Sequence, residues 1–248
     1  MFSLYVNYGH VAGLGYGYGY GFDPTYILII ISALIAMYAQ YKVSSTFARF
    51  SSVMSMTGMT GAMAADRLLK SQGIYDVVIM RVPGNLTDNY NPAKKTLNLS
   101  ESVYDSRSVA AIGVAAHECG HAIQHARGYM PLNIRSAIVP VANFGSKLSW
   151  VFIIAGFVLS YNQLLINIGI LMFAVVVLFQ LVTLPVEFNA SRRALQLLGE
   201  NGILYESEVG QTRKVLTAAA LTYVASALTA VLQLVRLLIL FGGRRRDD

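Results

Sequence analysis

The chain has 248 residues, 55% of them hydrophobic and only 13% charged. Soluble globular proteins carry about 25% charged residues, so this composition argues for a membrane protein before any motif is read. The net charge of +6 does not point to nucleic acid, because the Lys and Arg residues are scattered or flank apolar stretches, a placement that suits a membrane surface. One cysteine, Cys119, excludes an internal disulfide framework.

Residues 1–23 contain no Lys or Arg and therefore lack the basic start of a secretory signal. Their Gly/Tyr run, Gly13 to Gly21, reads as a low-complexity surface tail. Pro24 to Tyr41 is uncharged and is the first candidate membrane span, since a crossing helix needs about 20 apolar residues. Leu148 to Val186 is also uncharged but too long for one crossing, and Tyr161, Asn162 and Gln163 break it into two spans joined by a tight turn. Val215 to Val235 is a fourth uncharged stretch, closed by Arg236.

Between the first and second spans lies the longest water-compatible segment. Thr57 to Lys70 reads as a helix with Thr57 or Thr60 as cap and Gly73 as stop. Val77 to Val82 reads as a strand, Pro83 to Pro92 as a punctuated loop, and Thr96 to Ser100 as a second strand. Ser108 to Ala126 is a helix rich in small residues. The expected fold is therefore mainly α and integral to the membrane, with about four transmembrane helices and a small α+β zincin-like catalytic unit between the first and second. In numbers, the chain divides into a tail at 1–23, a membrane helix at 24–42, a catalytic unit at 43–147 and two membrane helices over 148–186. A helix at 187–214, a membrane or membrane-associated helix at 215–241 and a charged tail at 242–248 complete it.

The helix at 108–126 contains His117-Glu118-Cys119-Gly120-His121. Residues i and i+4 share one helix face a turn apart, so two imidazoles can hold one zinc ion. Glu118 then projects beside the metal, where it can act as general base towards a water whose pKa zinc brings down to ~7. His125 continues the same face, but at about 12 Å along the axis from His117 it is too far to share the ion on one straight helix. It is expected to line the cleft or to lie on the helix surface. A catalytic zinc needs a third protein ligand, and Glu187 is the best candidate. It follows the third apolar stretch directly, where an uncompensated carboxylate is costly. Two crossings also return it to the membrane side of the His pair. The other reading is a carboxylate that marks the span end or pairs with Arg192 or Arg193. One zinc per chain is expected.

Basic residues at the span ends predict orientation. Lys42, Arg49, Arg135, Lys147, Arg192, Arg193, Arg213 and Lys214 all belong to the side of the catalytic unit, which places that unit in the cytoplasm of a multi-pass cell-membrane protein. Arg244, Arg245 and Arg246 oppose this if the fourth stretch crosses.

The runs TGMTGAMAADRLL, LTDNYNPAKKTLNLS, SVAAIGVAAHECGHAIQ and EFNASRRA, together with the four spans, resemble the YugP-type membrane zinc metallopeptidases of bacteria. The resemblance covers nearly all residues from about 24 to 240 and implies the same fold, membrane location and a peptidase activity. The layout is more remotely similar to HtpX-type membrane proteases, in which a glutamate after the later spans completes the zinc site. In those an Asp four residues further on supports a ligand imidazole. Here that position is Ser191, so such support is expected from elsewhere, with Asn189 the candidate, while Ser191 and Arg192 are expected to stand behind the ligands or to touch substrate.

Two other classes fit less well. A site-2-type intramembrane protease needs an Asp ligand in an LDG-like run, which does not occur, and Arg107 and Arg127 bracket the motif helix closely. A zinc-stabilised scaffold or adaptor has no use for a base such as Glu118, because structural sites are closed by four protein ligands. The expected partners are the bilayer and a protein or peptide substrate near it, with no nucleic acid and the oligomeric state left open. Leu97, Asn98 and Leu99 alternate in the second strand. As an edge strand it could pair with an extended substrate; as an inner strand it could not.

Overall fold

A computed structural model describes residues 23–242. The Gly/Tyr run and the Arg244 to Arg246 triplet lie outside the described residues. In chain order the elements are α1 (Tyr26–Ser51), α2 (Gly61–Ser71), β1 (Val78–Val82), β2 (Asn89–Asn91), β3 (Thr96–Ser100), α3 (Glu101–Tyr104), α4 (Val109–Ala126), α5 (Met130–Val158), α6 (Gln163–Glu200) and α7 (Glu206–Phe241). The fold is mostly helical, and α1, α5, α6 and α7 are long and apolar enough to cross a bilayer. Their outer faces expose side chains such as Ile30, Leu34, Ile154 and Leu171, an apolar surface too broad for a soluble monomer.

The helices run past the apolar stretches. α5 begins at Met130, with Pro131 in its first turn, where an absent N–H leaves no helical bond unmade. α6 is continuous from Gln163 to Glu200, so Glu187 sits inside a helix rather than after one. The reversal between α5 and α6 falls at the polar break. Ser160 and Tyr161 take φ of 55° and 59°, and Asn162 caps α6 by accepting from the Leu164 and Leu165 N–H groups. α5 and α6 then pack backbone-close: a Cβ on Gly169 would meet the Ser149 carbonyl at 2.7 Å, the kind of small-residue contact by which helices associate in lipid.

α7 runs antiparallel beside α1. At one end Arg236 ion-pairs with Asp23 at 3.8 Å and lies over the Tyr26 ring. At the other, Glu208 accepts from the Met56 N–H at 2.7 Å.

The segment between α1 and α5 holds α2, the sheet, α3 and α4. Thr60 caps α2 by accepting from Met63 N–H, Gly73 ends it at a φ of 72°, and Ser108 caps α4 by accepting from Ala111 N–H. The three-stranded sheet has the order β1-β3-β2, with β1 parallel and β2 antiparallel to β3. The run TLNLS is therefore the inner strand, which removes Leu97, Asn98 and Leu99 from any free edge. Asn98 pairs with Met80 on one side and Asn89 on the other. The alternation of Leu97 and Leu99 marks a strand with one face on the core. Both side chains are fully buried among Leu68, Val103, Ile112 and Ile123, each contributing roughly 1.5–3 kcal/mol by leaving water. The free edge nearest α4 belongs to β2, whose sequence Asn89-Tyr90-Asn91 carries no hydrophobic alternation.

Candidate metal centre

α4 and α6 meet at a glycine. A Cβ on Gly120 would stand 2.6 Å from the Ala190 carbonyl oxygen and 3.0 Å from its Cα, so the two backbones touch. On α6, Glu187, Ala190, Ala194 and Leu198 fall at i, i+3, i+7 and i+11 and are all buried, forming the stripe that faces α4. This approach brings the His117/His121 face of α4 opposite Glu187. His117 Nε2 lies 3.2 Å from Glu187 Oε2, and His121 Nε2 lies 3.5 Å from the same oxygen. The imidazoles stand edge-on, 4.8 Å between centroids.

These separations fit zinc. Metal–ligand bonds of about 2.0–2.2 Å in a tetrahedral site place neighbouring donor atoms roughly 3.3 Å apart, and the three donor atoms all lie within 4.8 Å of one another. The outer ring nitrogens are also provided for. His117 Nδ1 lies 3.1 Å from Ser191 Oγ, and His121 Nδ1 lies 3.0 Å from Gln124 Oε1. With Nε2 turned inward on both rings, the Nδ1 protons donate to these oxygens, fixing the tautomer that metal binding needs. Gln124 is held in turn, donating from Nε2 to the Val186 carbonyl at 2.8 Å and to Asn189 Oδ1 at 3.0 Å. Asn189 also accepts from Arg193 Nε at 2.8 Å.

Glu187 is 2% exposed, and its second oxygen pairs with Arg135 of α5 at 3.3 Å. Burial opposes the charged form of His121, but the hydrogen bond and charge of Glu187, with Glu118 nearby, hold its pKa above the ordinary value. Glu118 Oε2 accepts from the Tyr90 N–H of β2 at 2.9 Å. Burial holds the Asp88 carboxyl above its usual range, against hydrogen bonds from the Ser100 N–H and hydroxyl.

Two cavities flank Glu118. One of about 340 Å³ lies towards α1 and α7, lined by Val43, His117 and Tyr223 among others. The second, of about 290 Å³, lies towards α5, with Tyr90, His121, Arg135 and Glu187 in its wall. Glu118, Asp88 and Tyr223 line both. Tyr223 of α7 shares the wall of the second cavity with Glu187.

The remaining sequence candidates separate clearly. His125 is outside the donor cluster, with its Nδ1 2.9 Å from the Tyr90 hydroxyl. Arg192 is exposed and has no polar partner among the described residues, so it does not stand behind the ligands; Arg193 is the arginine turned towards the site. Cys119 is buried among packing residues, and burial pushes its thiol pKa up. Sequence reading missed Gln124, Tyr90, Arg135 and Tyr223. Only Gln124 carried a local signal, three residues after His121 on the same helix face.

Long apolar helices and a two-imidazole, one-carboxylate cluster beside a second glutamate suit a membrane protein with a metal centre. The chain belongs to the family described as "Putative neutral zinc metallopeptidase", whose family model matches residues 25–242. It is similar to "Putative membrane protease YugP" of Bacillus subtilis (strain 168), at 46% identity over 224 residues covering 90% of this chain and 99% of that protein. Family membership implies zinc as the metal. No solved structure matches.

Proposed function

We propose that this chain is a membrane-embedded zinc endopeptidase of the HExxH-plus-glutamate type, with His117, His121 and Glu187 holding one zinc ion and Glu118 acting as general base. The observation that carries this reading is the convergence of two Nε2 atoms and Glu187 Oε2, with the Glu118 carboxylate beside them. Three protein donors leave a coordination position open, which is the pattern of catalytic rather than structural zinc. Zinc bound there supplies a Lewis acid for the scissile carbonyl and acidifies the attacking water.

The chain's own residues account for the other steps. Glu118 takes the proton of the water on its carboxylate and passes it to the leaving amine. The Tyr90 N–H keeps that carboxylate aimed. Tyr223, lining both cavities, donates to the oxyanion that develops on the carbonyl. Ser191 and Gln124 hold the two imidazoles, and Arg135 holds the Glu187 oxygen that faces away from them.

A zincin-like unit formed by the elements between α1 and α5, completed by α6, is part of this reading. Edge pairing with an extended peptide passes from β3 to β2, whose Tyr90 backbone already lies against Glu118. The cavities border α1, α5 and α7, so the substrates are loops or tails close to the bilayer. The catalytic unit is cytoplasmic, because the basic residues flanking the apolar stretches gather at its end while Arg236 at the far end is paired with Asp23.

Replacing Glu118 by Gln tests the reading. Hydrolysis of an unstructured peptide is expected to fall by about 10²–10⁴-fold while zinc content and thermal stability stay at wild-type levels. Wild-type turnover in Glu118→Gln would overturn the assignment of the base. For orientation, a Cys at Asn91, in a chain with Cys119 replaced, should resist an impermeant thiol reagent in intact cells; ready labelling reverses the topology.

A further inference from the structure

A further cavity lies away from the metal centre. It is a groove of about 670 Å³ between α1 and α7, walled on its third side by Phe188 of α6. Its rim carries Lys42 and Arg49 from α1 and Arg213 and Lys214 from α7, and no carboxylate lines it. All four cations are exposed. None of them forms an ion pair among the described residues. The lining below the rim is apolar, with Phe50, Ala218, Ala220, Leu221 and Val224 alongside Phe188.

The sequence explains this arrangement. Lys42, Ser45, Thr46 and Arg49 fall at i, i+3, i+4 and i+7 and share one face of α1. Lys42 closes the uncharged stretch that ends at Tyr41, and Lys214 opens the one that begins at Val215. Because α1 and α7 are antiparallel, these two boundaries coincide at one level of the membrane. The groove thus has unneutralised positive charge at headgroup depth and an apolar floor running into the span.

We propose that this groove binds one anionic phospholipid, with the phosphate among Lys42, Arg49, Arg213 and Lys214 and an acyl chain against Phe188, Leu221 and Val224. Basic pockets between membrane helices recognise anionic headgroups in this way. The volume is within the ~300–1,000 Å³ range of small-ligand sites. Binding requires a bilayer location and is independent of hydrolysis.

The test uses the full chain in a non-ionic detergent, followed by thermal unfolding and native mass spectrometry. Phosphatidylglycerol should raise the melting temperature and remain bound at one per chain. Phosphatidylcholine of the same chain length and inorganic phosphate should do neither. Lys42→Gln/Arg49→Gln and Arg213→Gln/Lys214→Gln should each weaken phosphatidylglycerol binding by roughly tenfold or more. Lys94→Gln/Arg127→Gln, which removes the same charge elsewhere, should leave it intact. If a double variant does not fold, Lys42→Gln and Lys214→Gln are read singly. The proposal fails if phosphatidylcholine or inorganic phosphate stabilises equally, or if the rim variants bind lipid like wild type. Equal loss in the control pair, or the same stabilisation by an acidic peptide, also overturns it.

Discussion

α4 meets the rest of the protein on two unlike sides. Towards α6 the contact is dry and backbone-close, with Gly120 against Ala190 and a buried stripe of small residues on either hand. Here every polar group has a fixed partner: His117 with Ser191, His121 with Gln124, and Gln124 with Asn189. Towards β2, α5 and α7 the helix instead looks into two cavities that meet at Glu118. On the proposed function, the packed side holds the metal donors in place and Glu118 stands where a substrate has space. The two imidazoles lie where these sides meet, in the cavity walls yet held by Ser191 and Gln124.

The largest expected effect comes from breaking the dry side. Gly120→Ala puts a methyl group where the Ala190 backbone stands, and neither backbone can retreat without moving its helix. Overpacking of this kind costs about 1–3 kcal/mol, and the displacement should separate Glu187 from the His pair. Most bound zinc and nearly all hydrolysis should be lost, as metal analysis and peptide cleavage will show. Gly113→Ala meets only the Thr212 side chain, one turn or more from the ligands, and should keep far more of its metal. Similar zinc loss in both variants would mean that the Gly120 contact has no special part.

The open side is broken at Tyr223. Tyr223→Phe keeps the ring and removes the donor, and losing one such donor costs about 10²–10³-fold in kcat. Zinc affinity should be unchanged. If kcat is kept and zinc binding weakens instead, the hydroxyl serves to position Glu187 and not the oxyanion.

The division between the two sides was only half legible in the sequence. The motif helix, the stop at Gly73 and the reversal at the Tyr161 to Gln163 break rest on local chemistry, and the structure has each of them; the cap at Ser108 was not read. Glu187 was singled out by the cost of a carboxylate beside an apolar span, and the structure brings it to the His pair. What was not legible depends on contacts between distant elements. TLNLS has the same alternation whether it is an edge or an inner strand, and only its pairing with both β1 and β2 decides. Asn89-Tyr90-Asn91 becomes a strand because β3 and Glu118 satisfy its backbone, not because of its own propensity. Arg135 and Tyr223 belong to long apolar helices, where nothing in the neighbouring sequence points to Glu187.

Between the two sides lie the outer partners of the imidazoles, where the expected effects are smaller. Removing a hydrogen-bond partner of a metal-binding His lowers affinity by about 10–100-fold. Gln124→Ala should sit at the upper end of that range, because Gln124 is buried and also holds the Val186 carbonyl and Asn189. Ser191→Ala should sit at the lower end, since Ser191 contributes one hydroxyl and is only half-buried. Competition with a zinc chelator ranks the two directly, and the reverse order would mean that the Gln124 chain is not what steadies His121.

The smallest effect is expected furthest out on the open side, at the Tyr90 hydroxyl. Its partner is His125 Nδ1 at 2.9 Å, and neither group belongs to the donor cluster. Tyr90 acts on the site through its backbone, because its N–H is what Glu118 accepts from. Tyr90→Phe leaves that N–H in place and deletes one half-buried hydrogen bond, worth about 0.5–1.5 kcal/mol net. Thermal stability should drop slightly, zinc content should not change, and peptide cleavage should stay within a few-fold of wild type. His125→Gln should behave similarly, since the ring serves the same contact. A variant of either residue that loses zinc would bring His125 back among the ligands and would require α4 to bend beyond His121. A variant that keeps zinc but loses most cleavage would instead show that the His125–Tyr90 contact holds β2 against Glu118, moving the boundary between the two sides outward by one turn of α4.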